Sequence, residues 1–152
     1  RVLCVVDEQD LAYRSGDDGC PQAVPADDGD DAVAPESSSP WQVPVSADPA
    51  LLFRFSALTA NTHRIHYDQR YVSEVEHYPD LVVHGPLLTL LMVDLVRRNA
   101  PDRTIASIEY RFRRPVYVSD DIVVHGTPER NGAALGVRTG RGLRAEAGVE
   151  FA

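Results

Sequence analysis

The chain has 152 residues, of which 43% are apolar, and this size and composition suit one folded domain. Residues 1–48 carry 11 acidic residues and two arginines, whereas residues 49–152 carry 12 acidic residues and 13 arginines. The net charge of −8 therefore belongs to the first third, and the remainder is nearly neutral. No apolar run approaches the ~20 residues that span a bilayer, and no basic patch resembles a nucleic-acid footprint. We expect neither a membrane nor a nucleic-acid partner.

The start of the chain and its cysteines bear on the location of the protein and on whether it is part of a longer one. The two cysteines, Cys4 and Cys20, match neither a zinc-ligand spacing nor a disulfide framework, which favours a cytoplasmic location. The chain begins without methionine or a signal-peptide pattern, so it reads as the remainder of a longer protein.

The first 48 residues divide into two parts. Residues 1–14 contain two strand-like pieces, RVLCVV and LAYR. Residues 15–48 are rich in Pro, Ser, Gly and Asp and lack apolar periodicity, so they cannot bury enough surface to offset the entropy of ordering. We predict an acidic linker there, with Trp41 and Val43 attaching its end to a domain at residues 49–152.

The domain is predicted to open with a strand, a polar cluster and a helix. Residues 51–56, LLFRFS, place alternate apolar side chains on one face, which is typical of a strand. The cluster ANTHRIHYD at residues 60–68 follows. Asp68 is then placed to cap a helix through residues 69–78, before the turn at Pro79.

A second, more apolar helix is predicted to begin at Gly85-Pro86, because proline at the first helical position loses only an unpaired N–H. Leu87 to Val96 are apolar on nearly every side, and such a helix should be enclosed by protein. Arg97 and Arg98 suit the negative end of the helix.

Four antiparallel strands are predicted after this helix. The outer two alternate clearly, and the inner two, DIVVHG and ALGVRTG, are separated by the turn PERNG. The inward positions predicted for the outer strands are Ala106, Ile108, Tyr110 and Phe112 in the first and Leu143, Ala145, Ala147, Val149 and Phe151 in the last. The order predicts an α+β hotdog fold, in which a curved antiparallel sheet wraps around one central helix.

Three stretches resemble a known family: FRFSALTANTHRIHYD, YPDLVVHGPLLTLLMVDLVRR and YRFRRPVYVSDD. They are similar to the MaoC-like hydratases and dehydratases of hotdog fold, in the branch of mesaconyl-C4-CoA and 3-methylfumaryl-CoA hydratases and hydroxyacyl-thioester dehydratases. The opening VVDEQDLAYR resembles the end of an amino-terminal hotdog half in that branch, with residues 15–48 as the connector. The resemblance implies pairing with a second hotdog domain, as a homodimer or with another half.

The resemblance also implies a set of site residues. When the family's catalytic histidine is placed on His66, Asn61 falls where the general motif has a catalytic aspartate. His63 falls on the motif's asparagine and Arg64 on its proline, in agreement with the Asn-Gly-His-Arg-Ile-His form of the branch. Thr62 departs from the usual glycine of that form.

Hydration of an enoyl thioester needs proton transfer, and His66 is our candidate because histidine titrates near neutral pH. Asn61 cannot act as a base, but it can orient water or donate to the thioester. Its alternative is a turn residue. On a regular helix Asn61 and His66 would point to different faces, so they converge only if the segment bends.

The remaining candidates concern the substrate. The Gly85 amide begins the central helix and suits developing negative charge on the thioester oxygen. Arg64 can pair with a substrate carboxylate, with a solvent-facing arginine as the alternative. His63 can share the acid–base work. His84 is a candidate for substrate binding, with a strand-end residue as its alternative. No third ligand accompanies His63 and His66, so we expect no metal and no cofactor besides the acyl thioester.

These residues predict a hydro-lyase that adds or removes water at a 2-enoyl thioester carried by CoA or a carrier protein, with a branched dicarboxylic thioester as one candidate substrate. The alternatives are an acyl-CoA thioesterase, a MaoC-like enzyme of secondary metabolism, and a non-catalytic hotdog partner subunit. The last gains weight from Asn61 in the place of aspartate.

Overall fold

The computed structural model describes residues 4–10 and 39–152. Its elements in chain order are β1 (Trp41–Val45), α1 (Pro49–Thr59), a 3₁₀ turn (Arg64–His66), α2 (Gln69–Glu74), α3 (Gly85–Asn99), β2 (Ile105–Phe112), β3 (Ile122–Glu129), β4 (Gly132–Thr139) and β5 (Gly142–Phe151). Residues 4–10 form no helix or strand, so the first predicted strand piece is wrong there. The rest of both pieces, at residues 1–3 and 11–14, lies outside the described residues.

The strand β1 lies inside the stretch predicted as a linker. Trp41 pairs with Gly126 and Val45 with Ile122, so β1 adds an antiparallel strand beside β3. Pro44 is tolerated because β1 is an edge strand, whose outer backbone groups need no partner in the sheet. The predicted linker is therefore too long at its carboxyl end, and its residues 15–38 lie outside the described part of the chain.

The sheet has five strands in the order β1-β3-β4-β5-β2, and every neighbouring pair is antiparallel. The four predicted strands are confirmed. A short hairpin joins β3 to β4, and another joins β4 to β5 at Gly142, whose φ of 96° favours glycine.

The central helix α3 packs across the sheet, against β1, β3, β4 and β5. It begins at Gly85 with Pro86 in its first turn and has Arg97 and Arg98 in its last, as predicted. Its buried residues are Leu87, Leu88, Met92, Leu95 and Val96. Leu90, on the opposite side, is 57% exposed, so residues 4–10 and 39–152 do not enclose the helix completely.

The predicted strand at residues 51–56 is wrong, because these residues lie in α1. Asp48 caps this helix by accepting a hydrogen bond from the Leu51 amide at 2.7 Å, and proline follows in the first turn. Leu52 and Ser56, four residues apart, are buried on one face. The alternation of Phe53 and Phe55 does not indicate a strand, since the Phe53 side chain is exposed.

The cap of α2 is confirmed, because Asp68 accepts a hydrogen bond from the Tyr71 amide at 3.0 Å. The helix ends at Glu74, earlier than the predicted residue 78, and His77 takes a left-handed φ of 56°. Among the described residues no helix is long and apolar enough to cross a bilayer, and the longest, α3, has 15 residues.

The inward face of β5 is confirmed from Ala145 onward by the buried Ala145, Ala147, Val149 and Phe151. It is wrong at the start of the strand, where Leu143 is only half-buried and Arg144, predicted to face outward, is buried. The inward face predicted for β2 is wrong at three positions, since Ala106 is exposed, Tyr110 is 36% exposed and Phe112 is 42% exposed. The strand β2 is the last in the sheet, and its only strand neighbour in the described structure is β5.

Candidate active site

The polar cluster between α1 and α2 forms a bend. Ala60 ends α1 in the left-handed region with φ 52°, and the Asn61 amide donates to the Ser56 carbonyl at 2.9 Å. Asn61 Oδ1 then accepts a hydrogen bond from the His63 amide at 2.9 Å, which is an Asx turn. The 3₁₀ turn that follows brings His66 inward. The bend that the site requires is therefore present, and Asn61 also fulfils its alternative role as a turn residue.

His66 is buried, with its ring orientation fixed by the backbone. Its Nδ1 lies 2.7 Å from the carbonyl oxygen of Val82. A carbonyl oxygen only accepts hydrogen bonds, so Nδ1 carries the proton and Nε2 of the neutral ring has a free lone pair. Burial lowers the pKa of His66 below its ordinary value of 6.5, aided by His63 and opposed by the Val82 bond. The neutral ring with a basic Nε2 is thus the form present at neutral pH.

His84 lies directly behind His66. The two rings are stacked, with centroids 3.6 Å apart and planes 16° from parallel. His84 is only 1% exposed, and its Nε2 lies 2.9 Å from the Ser56 hydroxyl. Burial, followed by the nearby His66, lowers the pKa of His84 to about 4. Its predicted role in substrate binding stays a prediction, because the ring faces His66 and α1 and hardly reaches solvent.

Gly85 follows His84 and is the first residue of α3. The stack therefore places the His66 ring against the side chain of the residue that precedes Gly85. A Cβ added at Gly85 would lie 2.7 Å from Cε2 of Phe112, well inside normal carbon–carbon contact. Glycine is needed here because the Phe112 ring packs against the backbone.

The outer residues of the cluster are His63 and Arg64. His63 is exposed, and its ring lies edge-on to His66 at 5.8 Å between centroids. The Arg64 guanidinium donates to Asp68 through Nη2 at 2.7 Å and Nε at 3.0 Å, and it lies over the Tyr71 ring. The side chain is largely exposed. The structure leaves the predicted roles of both residues untested.

Ser56, Val82 and Phe112 are parts of the site that the sequence did not predict. The strand predicted at residues 51–56 concealed Ser56, whereas a helix starting at Asp48 would have placed it on the same buried face as Leu52. Val82 contributes only its carbonyl group, for which the sequence has no signal. Across residues 4–10 and 39–152 no group of three His, Cys, Asp or Glu side chains is arranged to bind a metal. The expectation of no cofactor stays a prediction.

The fold defines a class of protein. An antiparallel sheet that carries one central helix is the hotdog fold, which solved MaoC-like dehydratase structures share. The structure of the ChsH1–ChsH2 complex from Mycobacterium tuberculosis matches with a TM-score of 0.64. The match covers 73% of this chain and 91% of that chain at 20% identity, so it shows the fold alone.

The chain matches the hydroxyacyl-thioester dehydratase type 2 family over residues 1–118, and it belongs to that family. It is 40% identical over 116 residues to the mesaconyl-C(4)-CoA hydratase of Chloroflexus aurantiacus, covering 76% of this chain and 39% of the relative. It is 30% identical over 122 residues to the mitochondrial hydroxyacyl-thioester dehydratase type 2 of Schizosaccharomyces pombe, covering 79% of this chain and 38% of the relative. The predicted family is confirmed, and the chain spans about two fifths of the length of these curated relatives.

Proposed function

We propose that this protein is a hydro-lyase that adds water to, or removes it from, the double bond of a 2-enoyl thioester. The observation that supports this most directly is the position of His66. Its neutral ring, with Nδ1 bonded to Val82, stacks on the residue next to the Gly85 amide. A base and an oxyanion donor at one place are the two groups that this reaction needs. The names of the two curated relatives agree with the same reaction.

His66 performs the acid–base work in this proposal. In hydration, Nε2 takes a proton from water as the oxygen attacks the β-carbon, and the electrons of the double bond move towards the thioester carbonyl. The resulting imidazolium then gives its proton to the α-carbon and returns to the neutral form. One water is consumed, and a 3-hydroxyacyl thioester is formed. Dehydration is the reverse, with the same residue acting first as base at the α-carbon and then as acid.

Gly85 stabilises the enolate oxygen that forms during this step. The first amides of a helix lack intrahelical partners and lie at the positive end of the helix dipole. Gly85 is the first residue of α3, and since Pro86 has no N–H, the Gly85 amide is the only donor at the first two positions of the helix. Developing charge on the thioester oxygen is therefore stabilised from this position.

Asn61 holds the attacking water. Its Oδ1 accepts from the His63 amide and keeps a second lone pair that can accept an O–H of the water, while Nδ2 can donate to the thioester. An aspartate at this position would add a second base. With asparagine instead, His66 performs both proton transfers, or His63 shares them from the exposed side.

The substrate carboxylate, in a branched dicarboxylic thioester, is a ligand for Arg64. The guanidinium is exposed and uses Nη2 and Nε on Asp68, so its remaining N–H groups are available to a second carboxylate. Selectivity for such substrates would appear as a loss on Arg64→Gln with mesaconyl-CoA and no loss with crotonyl-CoA.

A second hotdog domain packs along β2 in this proposal, and the chain alone forms a homodimer. The strand β2 is at the end of the sheet, and the partly exposed Tyr110 and Phe112 lie on it. Phe112 also contacts Gly85, so a partner at this edge would border the site.

Light scattering after size-exclusion chromatography tests the pairing. The wild type should have the mass of two chains, and Tyr110→Glu should have the mass of one, because a buried charge would oppose docking. Leu58→Glu is the control, since Leu58 is an exposed apolar residue on α1. A monomeric wild type would contradict the homodimer.

The activity is tested with crotonyl-, mesaconyl- and methylfumaryl-CoA. Hydration should remove the ultraviolet absorbance of the conjugated enoyl thioester without releasing CoA thiol. Release of CoA thiol together with a free acid that keeps the carbon–carbon double bond would indicate a thioesterase. If a folded wild-type protein converts none of the three, and Asn61→Asp gains activity, the non-catalytic alternative is favoured.

A further inference from the structure

Ser56 contacts two parts of the candidate site, the His84 ring and the backbone of Asn61. Its hydroxyl lies 2.9 Å from His84 Nε2, and its carbonyl oxygen accepts the Asn61 amide at 2.9 Å. The residue before it, Phe55, packs edge-on against the His84 ring with centroids 4.8 Å apart. The helix α1 therefore contacts the His84 ring through two consecutive side chains, one polar and one aromatic.

The stacking of His84 on His66 restricts what His84 can do. Imidazole hydrogen bonds lie in the plane of the ring, whereas these two rings face each other with nearly parallel planes. No proton can pass directly from one ring to the other in this arrangement. His84 therefore cannot relay a proton to His66, and its influence on that residue is positional and electrostatic.

The hydrogen bonding of His84 fits its neutral form. Its Nδ1 has no partner in the described structure. Nε2 either donates to the Ser56 oxygen or accepts from the Ser56 hydroxyl, so the bond forms with either neutral tautomer. A second ring proton would place a positive charge in a buried site beside the positive end of α3. A neutral His84 is thus the form that the surroundings stabilise.

We propose that Ser56 and His84 are positioning residues for His66: Ser56 fixes the plane of the His84 ring, and that ring is the platform on which His66 is oriented towards Val82 and the start of α3. The catalytic meaning of this inference rests on the proposed hydro-lyase activity, but the orientation of His66 can be measured without it. The titratable groups around the His66 ring are His63 from the 3₁₀ turn and His84 from the start of α3.

The central test is Ser56→Ala, with Ser73→Ala as the matched control on α2, where the hydroxyl bonds only to its own helix. In the wild type the His66 Nδ1 proton is bonded to Val82, so it should exchange slowly with water in NMR spectra. Loss of one hydrogen bond worth about 1.4 kcal/mol changes an equilibrium or rate constant tenfold. We therefore expect about tenfold faster exchange in Ser56→Ala, together with a fall in kcat of about tenfold and little change in KM. Ser73→Ala should change neither.

A second measurement tests the stack itself. In His66→Phe the ring below His84 can no longer be charged, so the titration midpoint of His84 should rise, because one repulsive neighbour has been removed. His63→Phe should leave that midpoint unchanged, since His63 contacts His66 and not His84 in the described structure.

The outcomes separate this inference from the proposed function. If Ser56→Ala leaves the Nδ1 exchange rate and kcat as they are in Ser73→Ala, the positioning role is wrong even when the wild type hydrates thioesters. If the exchange and titration respond as expected but no thioester is turned over, the positioning stands and the hydro-lyase proposal falls.

Discussion

His66 Nδ1 and the carbonyl oxygen of Val82, sixteen residues apart in the chain, are joined by a 2.7 Å hydrogen bond. This bond assigns the proton of the neutral ring to Nδ1 and directs the lone pair of Nε2 away from the backbone. A histidine fixed in this way is prepared to accept a proton at one defined atom, and the following predictions start from that arrangement.

His66→Gln should lower kcat by about 10²-fold or more, because glutamine can bond to Val82 but cannot transfer protons. The measurement is the initial rate with the best of the three enoyl-CoA substrates. His77→Asn is the matched control, since His77 is exposed and asparagine accepts its left-handed backbone. Equal rates in wild type and His66→Gln would transfer the acid–base role to His63.

The hydration rate should depend on pH through the free base of His66. Burial lowers the pKa of this residue below 6.5, so the basic form is already dominant at neutral pH. A plot of log kcat/KM against pH should have a midpoint below 6.5, fall with a slope of one on the acid side and level off on the basic side. A midpoint above 6.5 would mean that the ring is stabilised as a cation, contrary to its burial.

Folding stability should fall on acidification because of His84. Its pKa is about 4 in the folded protein and 6.5 ordinarily, so between these values the unfolded chain binds a proton that the folded chain does not. This proton uptake lowers the free energy of unfolding as the pH falls from 6.5 towards 4, by a total on the order of 3 kcal/mol. Above pH 6.5 the titration of His84 has no effect on stability. Urea unfolding at several pH values, compared between wild type and His84→Phe, measures this loss. A variant with the wild-type pH slope would contradict the prediction.

Gly85→Ala should destabilise the protein by about 1–3 kcal/mol, because the new methyl group would lie 2.7 Å from the Phe112 ring. Phe112→Ala should remove this steric cost. If the thioester approaches the Gly85 backbone closely, adding Gly85→Ala to Phe112→Ala should still lower kcat/KM by about tenfold. Thermal unfolding and rates across this double-mutant cycle separate the two effects. Full recovery of activity in the double variant would place the thioester elsewhere.

Asp48→Ala should lower the free energy of unfolding by about 1 kcal/mol, because Asp48 caps α1 through the Leu51 amide. Asp48→Asn should remain near wild type, since asparagine is an equally good cap. Asp94→Ala is a useful contrast, because it removes only an exposed pair with Arg98 on α3, worth about 0.5 kcal/mol or less. Equal losses in the two alanine variants would argue against a specific cap.

The sequence determined those parts of the protein that depend on neighbours along the chain. The start of α3 at Gly85-Pro86, the cap at Asp68 and the alternation in β5 from Ala145 onward are local signals, and each is confirmed. The strand predicted at residues 51–56 failed because two alternating phenylalanines outweighed the Asp48-Pro49 start signal. The strand β1 was missed because Pro44 and the polar sequence around the strand are atypical of strands. An edge strand tolerates proline, since it pairs with only one neighbour.

Only the tertiary structure decided how the candidate site is assembled. His66 and His84 are eighteen residues apart, and no periodicity predicts that one ring will lie flat on the other or that Ser56 will reach both His84 and Asn61. The exposure of Tyr110 and Phe112 likewise follows from the position of β2 at the sheet edge. Hydrophobic patterning specifies which face of an element is buried, but contacts between distant residues are fixed by packing, and this site consists of such contacts.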